Sequence, residues 1–255
     1  MADTPVTSQT YRTMGRIDLS RVSRFDLPVA GSEHLAALRA IRGVTELVSD
    51  ALDDLGVEGV IGSSVLRPTM VGQCVVGRAL TLRNVPLDID PFTAASGGHL
   101  NKQADFEAHN LTQPGDILVV QGGRDVSNMG GISATMAKRQ GSPATVIDGG
   151  IRDLATSREI GHPIWCRDTT AKTGRWRQET AEINGDVVIC GIKVQPGDIV
   201  CADDSAVCVI PLSLLAEVTR RVVKRNETDG EYLAFVESGQ PLRDLPRPDP
   251  TKYRE

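Results

Sequence analysis

The chain has 255 residues, 40% of them hydrophobic, and its 28 basic and 33 acidic residues leave a formal net charge of −5. That length and apolar content suffice for one core of α/β type with extensions at both ends. The acidic balance argues against a phosphate-neutralising surface, so no nucleic acid is expected as a partner. No apolar run approaches the roughly 20 residues that span a bilayer, so no membrane is expected either. The amino end has no hydrophobic leader segment, and a cytoplasmic protein is expected. Cys74, Cys166, Cys190, Cys201 and Cys208 are odd in number, lack a C-x-x-C pair and read as small core residues. The four histidines, His34, His99, His109 and His162, show no zinc-ligand spacing.

Residues 1–31 are rich in Thr, Ser, Arg and Asp and read as an extended arm. Ser32 followed by Leu35, Leu38, Ile41 and then Leu47, Leu52 and Leu55 predicts two helices broken near Gly43, the second ending at Gly56. Asp50, Asp53 and Asp54 on the second read as a solvated face. The β-branched and small residues from Val71 to Arg83 predict a strand, with Arg83 beyond it as an anion contact or a surface arginine. A loop and a helix are expected between Asp88 and His109, and His99 reads as a loop residue rather than a base. Pro114-Gly115-Asp116 and Pro196-Gly197-Asp198 each turn the chain into an apolar strand, Ile117 to Val120 and Ile199 to Cys201.

The stretch from Asn128 to Asp153 concentrates the chemistry. After Gly130-Gly131, the spacing of Ile132, Met136, Ala134 and Ala137 predicts a short helix that Gly141 stops. Ala144, Thr145, Val146 and Ile147 predict a strand buried on both faces, with Asp148 at its carboxyl end. A helix start with two glycines offers free backbone N–H groups to an anion. Arg152, on the turn after the strand, carries a planar cationic fork suited to the same anion. Asp153 is a hard oxygen ligand of the kind magnesium prefers, and equally a helix N-cap before Leu154.

Beyond it, Pro163 to Cys166 reads as a strand and Lys172 to Gln178 as a cationic loop. In that loop Arg175, Trp176 and Arg177 line a site for a charged acid or a subunit contact, and Glu182 and Asn184 are expected to orient it. Leu212, Leu215, Val218 and Val222 predict a helix continuing to Glu237, before a Pro-rich extended tail. The boundaries are therefore 1–31 for the arm, 32–211 for the domain and 212–255 for the helix and tail.

Several separate blocks carry a resemblance. They are S-D-A-L-D-D-L-G from Ser49, P-G-D-I-L-V-V from Pro114, V-I-D-G-G-I-R-D ending at Asp153, A-E-I-N from Ala181, and V-Q-P-G-D-I-V-C-A-D-D-S-A-V-C-V-I-P ending at Pro211. From about Val48 to Pro211 the chain resembles the family of the class II 4-hydroxy-4-methyl-2-oxoglutarate/4-carboxy-4-hydroxy-2-oxoadipate aldolases and the RraA-like regulators of ribonuclease E.

The resemblance implies an α/β fold with a three-layer ββα core of swivelling-domain type, assembled as a homotrimer or homohexamer with sites between subunits. It implies a lyase that cleaves a C–C bond of a small 2-oxo acid with a divalent cation, Mg2+ or Mn2+, as cofactor. Asp153 then holds the metal, Arg152 contacts substrate, and the amides of Gly130, Gly131, Ile132 and Ser133 hold its carboxylate. A glutamate from a neighbouring subunit's C-terminal region completes the aldolase site, and Glu227 or Glu231 is expected in that role. The aldolases carry an acid 21 positions before the arginine, where this chain has Gly131; Asp125 and Asp148, nearby in sequence, are its candidate substitutes. The alternatives are a non-catalytic regulator and a related reaction on a hydroxy or sugar acid.

Overall fold

The computed structural model describes residues 13–247, so residues 1–12 of the expected arm and 248–255 of the expected tail lie outside the described residues. The first half contains α1 (Ser32–Arg39), α2 (Val44–Asp54), β1 (Val60–Gly62), β2 (Arg67–Pro68), β3 (Val75–Pro86), α3 (Pro91–Ser96), α4 (Asp105–Leu111) and β4 (Asp116–Gln121). Next come α5 (Gly131–Arg139), β5 (Thr145–Ile151), α6 (Leu154–Glu159), β6 (Ile164–Thr169) and β7 (Gln178–Ile183). The chain closes with β8 (Val187–Ile189), β9 (Ile192–Val194), β10 (Ile199–Ala202), β11 (Ala206–Ile210) and α7 (Leu215–Glu237). Among the described residues no helix is long and apolar enough to cross a membrane.

One sheet runs in the order β1-β11-β10-β3-β4-β5-β6-β2, and β7 also pairs with β3. Strands β3 to β6 are parallel, so their carboxyl ends share one edge. The flanking pairs are antiparallel. Two turns of the same sequence, Gln-Pro-Gly-Asp, feed β4 and β10. Gly115 and Gly197 take φ values of +92° and +96°, which only glycine adopts freely. Asp116 and Asp198 then accept the Gln113 and Gln195 amides at 3.0 and 2.8 Å and lock each turn.

Alternation along β4 shows why the central runs are continuously apolar. Ile117 and Val119 point into one cluster, while Leu118 and Val120 point into another on the opposite face. The first cluster also takes Ile61 from β1 and Trp165 from β6, strands near opposite ends of the sheet. The sheet therefore curls around it, and Trp165 donates its indole N–H to the Asp203 carbonyl at 2.8 Å across the closure. Outside the curl, α4, α5 and α6 cover Leu80, Leu118 and Ile147, while α1, α2 and α7 cover Val76, Ile199 and Cys208. These form the α/β layering expected from the sequence.

The two helices broken at Gly43, which sits at φ +60°, and the long helix to Glu237 match their sequence patterns. Other elements differ. Strand β5 does not end at Asp148 but runs on to Ile151 through an irregularity between Ile147 and Gly150. Residues 88–109 form two short helices, because Asp90 caps Pro91–Ser96 before a second helix starts at Asp105. Asp50 and Asp54 are not simply solvated, since they hold Arg225 and Arg221 of α7 at 3.5 and 3.3 Å. From Met14 onward the arm lies on its own chain: the buried Glu107 accepts the Met14 and Arg16 amides, and Val22 packs against the sheet. Cys166, Cys201 and Cys208 are buried as expected, whereas Cys74 is exposed and Cys190 half-buried.

Two histidines sit in the core with one ring nitrogen satisfied and Nδ1 unpaired. His109 Nε2 lies 2.8 Å from Ser133 Oγ, and His162 Nε2 lies 2.9 Å from Thr145 Oγ1. Burial pushes His109 down to about 3 and His162 down to about 4, from an ordinary 6.5. Both are neutral in the folded protein near pH 7, while the unfolded chain takes up protons first. Their contribution to stability is therefore full above the unfolded value and falls as pH drops below it, by up to about 1.4 kcal/mol per unit per histidine. Denaturant melts at about pH 7 and about pH 5.5 should show this loss, and His162→Asn should flatten it. An unchanged slope in that variant would remove His162 as a source.

Candidate active site at the amino end of α5

The carboxyl ends of β4 and β5 lie side by side, the position where α/β sheets bind ligands. The chain leaving β4 is tied to the end of β5 before it enters α5. Asn128 donates its backbone N–H to the Gly150 carbonyl at 2.8 Å, and Arg152 donates to the Met129 carbonyl at 3.0 Å. The buried Asn128 side chain also accepts the Gly123 amide at 3.1 Å and donates to Gly150 at 3.2 Å. Ser127 takes in the cationic loop by donating to the Lys172 carbonyl at 2.8 Å.

This stitching decides where Asp153 points. The residue adopts φ +59°, ψ +41°, and its side chain does not cap α6, the helix it precedes. Its carboxylate turns back to the first turn of α5, where Oδ2 accepts the Gly131 amide at 2.9 Å. Asp153 thus caps a helix, but a different one from that expected from its sequence position. Arg152 Nε lies 3.6 Å from the same oxygen, and the two side chains remain 43% and 47% exposed. Gly130 is extended, with φ −127°, and its glycine is required by space: a Cβ there would stand 2.8 Å from Asp153 Oδ2. At Gly131 a Cβ would meet the Thr156 side chain at 3.0 Å, so Thr156 crowds the position where the resemblance implies an acid.

These groups border a cavity of about 320 Å³ that brings together Gly130, Gly131, Ile132, Ser133, Arg152 and Asp153. In α5 the first amides have no intrahelical acceptor, and Ile132 and Ser133, which carry two of them, line the cavity. The Ile132 side chain is itself exposed, so its backbone is the useful part. Arg175 also lines the cavity, with its guanidinium 4.1 Å from the centroid of the Trp176 ring. The anchor for that loop is Trp176, whose Nε1 donates to the His99 carbonyl at 2.8 Å.

Other expected residues stand elsewhere. Glu227 and Glu231 are exposed on α7, which packs on α1 and α2, and neither lines the cavity. Asp148 pairs with Arg167 and accepts the Cys190 amide at 2.6 Å; desolvation opposes, but these bonds hold its carboxyl below the ordinary range. Asp125 borders a separate cleft with Arg124, Arg167 and Asp168. Arg83 is bound to Glu182 at 3.0 Å, so that glutamate serves β3 rather than the cationic loop. Asn184 likewise accepts the Thr81 amide at 3.3 Å and donates to the Arg24 carbonyl at 3.0 Å.

Sequence reading missed Asp105 and Phe106, which α4 brings to the cavity wall. Ser133 Oγ lies 2.8 Å from His109 Nε2, and its hydroxyl draws the Asp105 carboxyl down. Burial raises the Asp105 carboxyl above the ordinary 3.8, against the lowering pull of Ser133, nearby backbone amides and Arg16. No spacing signal connects residue 105 with residue 152.

Fold and cavity together define an α/β protein whose α5 amino end opens on a cavity beside a half-exposed carboxylate. Residues 45–209 match the RraA-like family, described as Aldolase/RraA, and the chain belongs to that family. It is 30% identical over 187 residues, 72% of this chain and 80% of the other, to a Halalkalibacterium halodurans protein named "Putative 4-hydroxy-4-methyl-2-oxoglutarate aldolase". It is 28% identical over 196 residues to Protein DlpA of Legionella pneumophila, a match that covers 76% of this chain but only 30% of that longer protein. Among solved structures, an uncharacterized protein from Pseudomonas syringae pv. tomato aligns with a TM-score of 0.72 at 26% identity, over 86% of this chain and 98% of that one. Streptomyces coelicolor RraAS2, described as an unusual member of the RNase ES inhibitor RraA protein family, aligns at 0.66 and 28% identity, over 80% and 96% of the two chains.

The Asp153 cap has a direct test. Asp153→Ala should cost about 1 kcal/mol of stability. In amide exchange, the Gly131 N–H should lose protection while Ser157 and the rest of α6 do not. Loss confined to α6 would return Asp153 to an ordinary cap of its own helix.

Proposed function

We propose that the chain is a divalent-metal-dependent lyase that cleaves a C–C bond of a small 2-oxo acid, by retro-aldol reaction, by oxaloacetate decarboxylation, or by both. The observation that carries the reading is the half-exposed Asp153 carboxylate, set beside Arg152 at the free amide end of α5. Among the described residues no group of three or more His, Cys, Asp and Glu side chains forms a metal cage. A lone water-exposed carboxylate fits magnesium or manganese, hard cations that keep several waters and take further oxygens from substrate. Such an ion on Asp153 supplies a Lewis acid for the 2-keto oxygen.

The protein's own groups do the rest. Free amides of Ile132 and Ser133, with the Arg152 fork, hold the substrate carboxylate and keep the keto group toward Asp153. Arg175 faces the same cavity and suits a second acidic group on the substrate. Negative charge that develops as the bond breaks falls near these fixed donors, which need no rearrangement to stabilise it. Glu227 cannot join them from its own α7, so a neighbouring subunit in a trimer or hexamer supplies it. That assembly is supported by Ile132 and Leu100, apolar side chains 72% and 84% exposed at and beside the cavity lining.

The family resemblance to aldolases and the printed name of the Halalkalibacterium relative support this reading. The likeness to RraAS2 favours a second one, a binding protein that regulates a nuclease without turnover.

Pyruvate release from oxaloacetate and from 4-hydroxy-4-methyl-2-oxoglutarate separates the two. The lyase reading predicts release with magnesium or manganese, none above the metal-only background with a chelator, and a loss of at least about 100-fold in Asp153→Ala. No release from either compound would favour the regulator.

A further inference from the structure

We propose that Asp105 is the proton-carrying acid and base of this cavity, taking the place of the carboxylate missing at position 131. The inference rests on the lyase reading and assigns it a residue. Retro-aldol cleavage needs a group that removes a hydroxyl proton and returns one to carbon. At position 131 there is no side chain, and Thr156 crowds the space a side chain would enter. Among the described residues lining the cavity, only Asp105 and Asp153 are carboxylates. Asp153 is already engaged, holding the Gly131 amide at 2.9 Å with Arg152 Nε 3.6 Å from the same oxygen. Asp105 sits beside Phe106 on α4, where desolvation favours the protonated form. The two carboxyl groups thus stand in unlike surroundings, and Asp105 is the one not tied to the first turn of α5.

The polar groups next to Asp105 support the role. His109 is neutral near pH 7, with Nδ1 unpaired and Nε2 against Ser133 Oγ. The tautomer that orphans no N–H carries the proton on Nε2 and donates it to Ser133 Oγ. The Ser133 hydroxyl then keeps its own proton to offer elsewhere, and its pull on the Asp105 carboxyl is a lowering one. Ser133 also belongs to the first turn of α5, so the same short segment positions the proton carrier and offers its amides to substrate.

The step balances within the site. Ionised Asp105 takes the proton of the substrate's hydroxyl as the adjacent C–C bond breaks and its electron pair moves into the enolate. The carbonyl product leaves, and the same proton passes from Asp105 to the enolate carbon, giving the methyl group of pyruvate and restoring the carboxylate. In decarboxylation the proton given to that carbon is replaced from water.

Exchange of pyruvate methyl hydrogens with deuterium oxide, followed by proton NMR with magnesium present, isolates the transfer from bond cleavage. Asp105→Asn is isosteric and removes only the ionisable group; it should lower exchange at least about 100-fold with pyruvate affinity unchanged. Asp105→Glu should retain measurable exchange, which guards against a merely structural loss. In metal-free protein, carbon-13 NMR should show the Asp105 carboxyl titrating above the ordinary aspartate value of 3.8, and still higher in Ser133→Ala, because that hydroxyl lowers it. Wild-type exchange that survives Asp105→Asn, or an ordinary titration of Asp105, would overturn this assignment alone. A wild-type protein that neither exchanges pyruvate hydrogens nor releases pyruvate would overturn the lyase reading and this one with it.

Discussion

The hydrogen bond from the Gly131 amide to Asp153 joins two segments that come from different strands, and the geometry of the site follows from it. Strands β4 and β5 are parallel neighbours, so the loop leaving one and the turn leaving the other meet at a common edge. Asn128 and Arg152 stitch those segments through their backbones, and Asp153 in a left-handed conformation closes the unit with its side chain. With the carboxylate spent on α5 rather than α6, Arg152 and the free helix amides face the same space. Two adjacent glycines permit this, one by leaving room for the carboxylate and the other by leaving room for Thr156.

Charge is distributed around that unit with little redundancy. Asp148 and Arg167 form their own pair, and Arg83 belongs to Glu182. These pairs occupy Arg167 and Arg83, two cations near the sheet edge, with carboxylates of their own. Arg152 and Arg175 therefore remain as the cations facing the cavity, and Asp105 and Asp153 as its carboxylates. The buried Glu107, which holds the Met14 and Arg16 amides, fixes α4 against the preceding arm and with it the Asp105 wall of the cavity.

Much of this was legible where a short segment contains its own cause. Ala144 to Ile147 announce a doubly buried strand, Gly141 a helix stop, and the two Pro-Gly-Asp turns the starts of β4 and β10. Gly130 through Ser133 and Arg152-Asp153 were readable as one unit because strand β5 and its turns bring them back together within a short length of chain. The rest depends on long-range packing. Nothing local told that Asp153 would serve α5 instead of α6, because the choice follows from a left-handed backbone and the space at Gly130. Asp105 carries no motif and reaches the cavity only because α4 packs on α5. Asp148 misled as a substitute acid since its partners, Arg167 and the Cys190 amide, come from later strands and connections.

The most direct test is the position of a manganese ion in crystals grown with manganese and pyruvate, read from its anomalous scattering. The expected result is a peak within coordination distance of an Asp153 carboxylate oxygen, about 2.1–2.3 Å, with the pyruvate carboxylate against the amides of Ile132 and Ser133. A peak at the cleft of Asp125 and Asp168, or none anywhere near Asp153 with pyruvate bound, would contradict it.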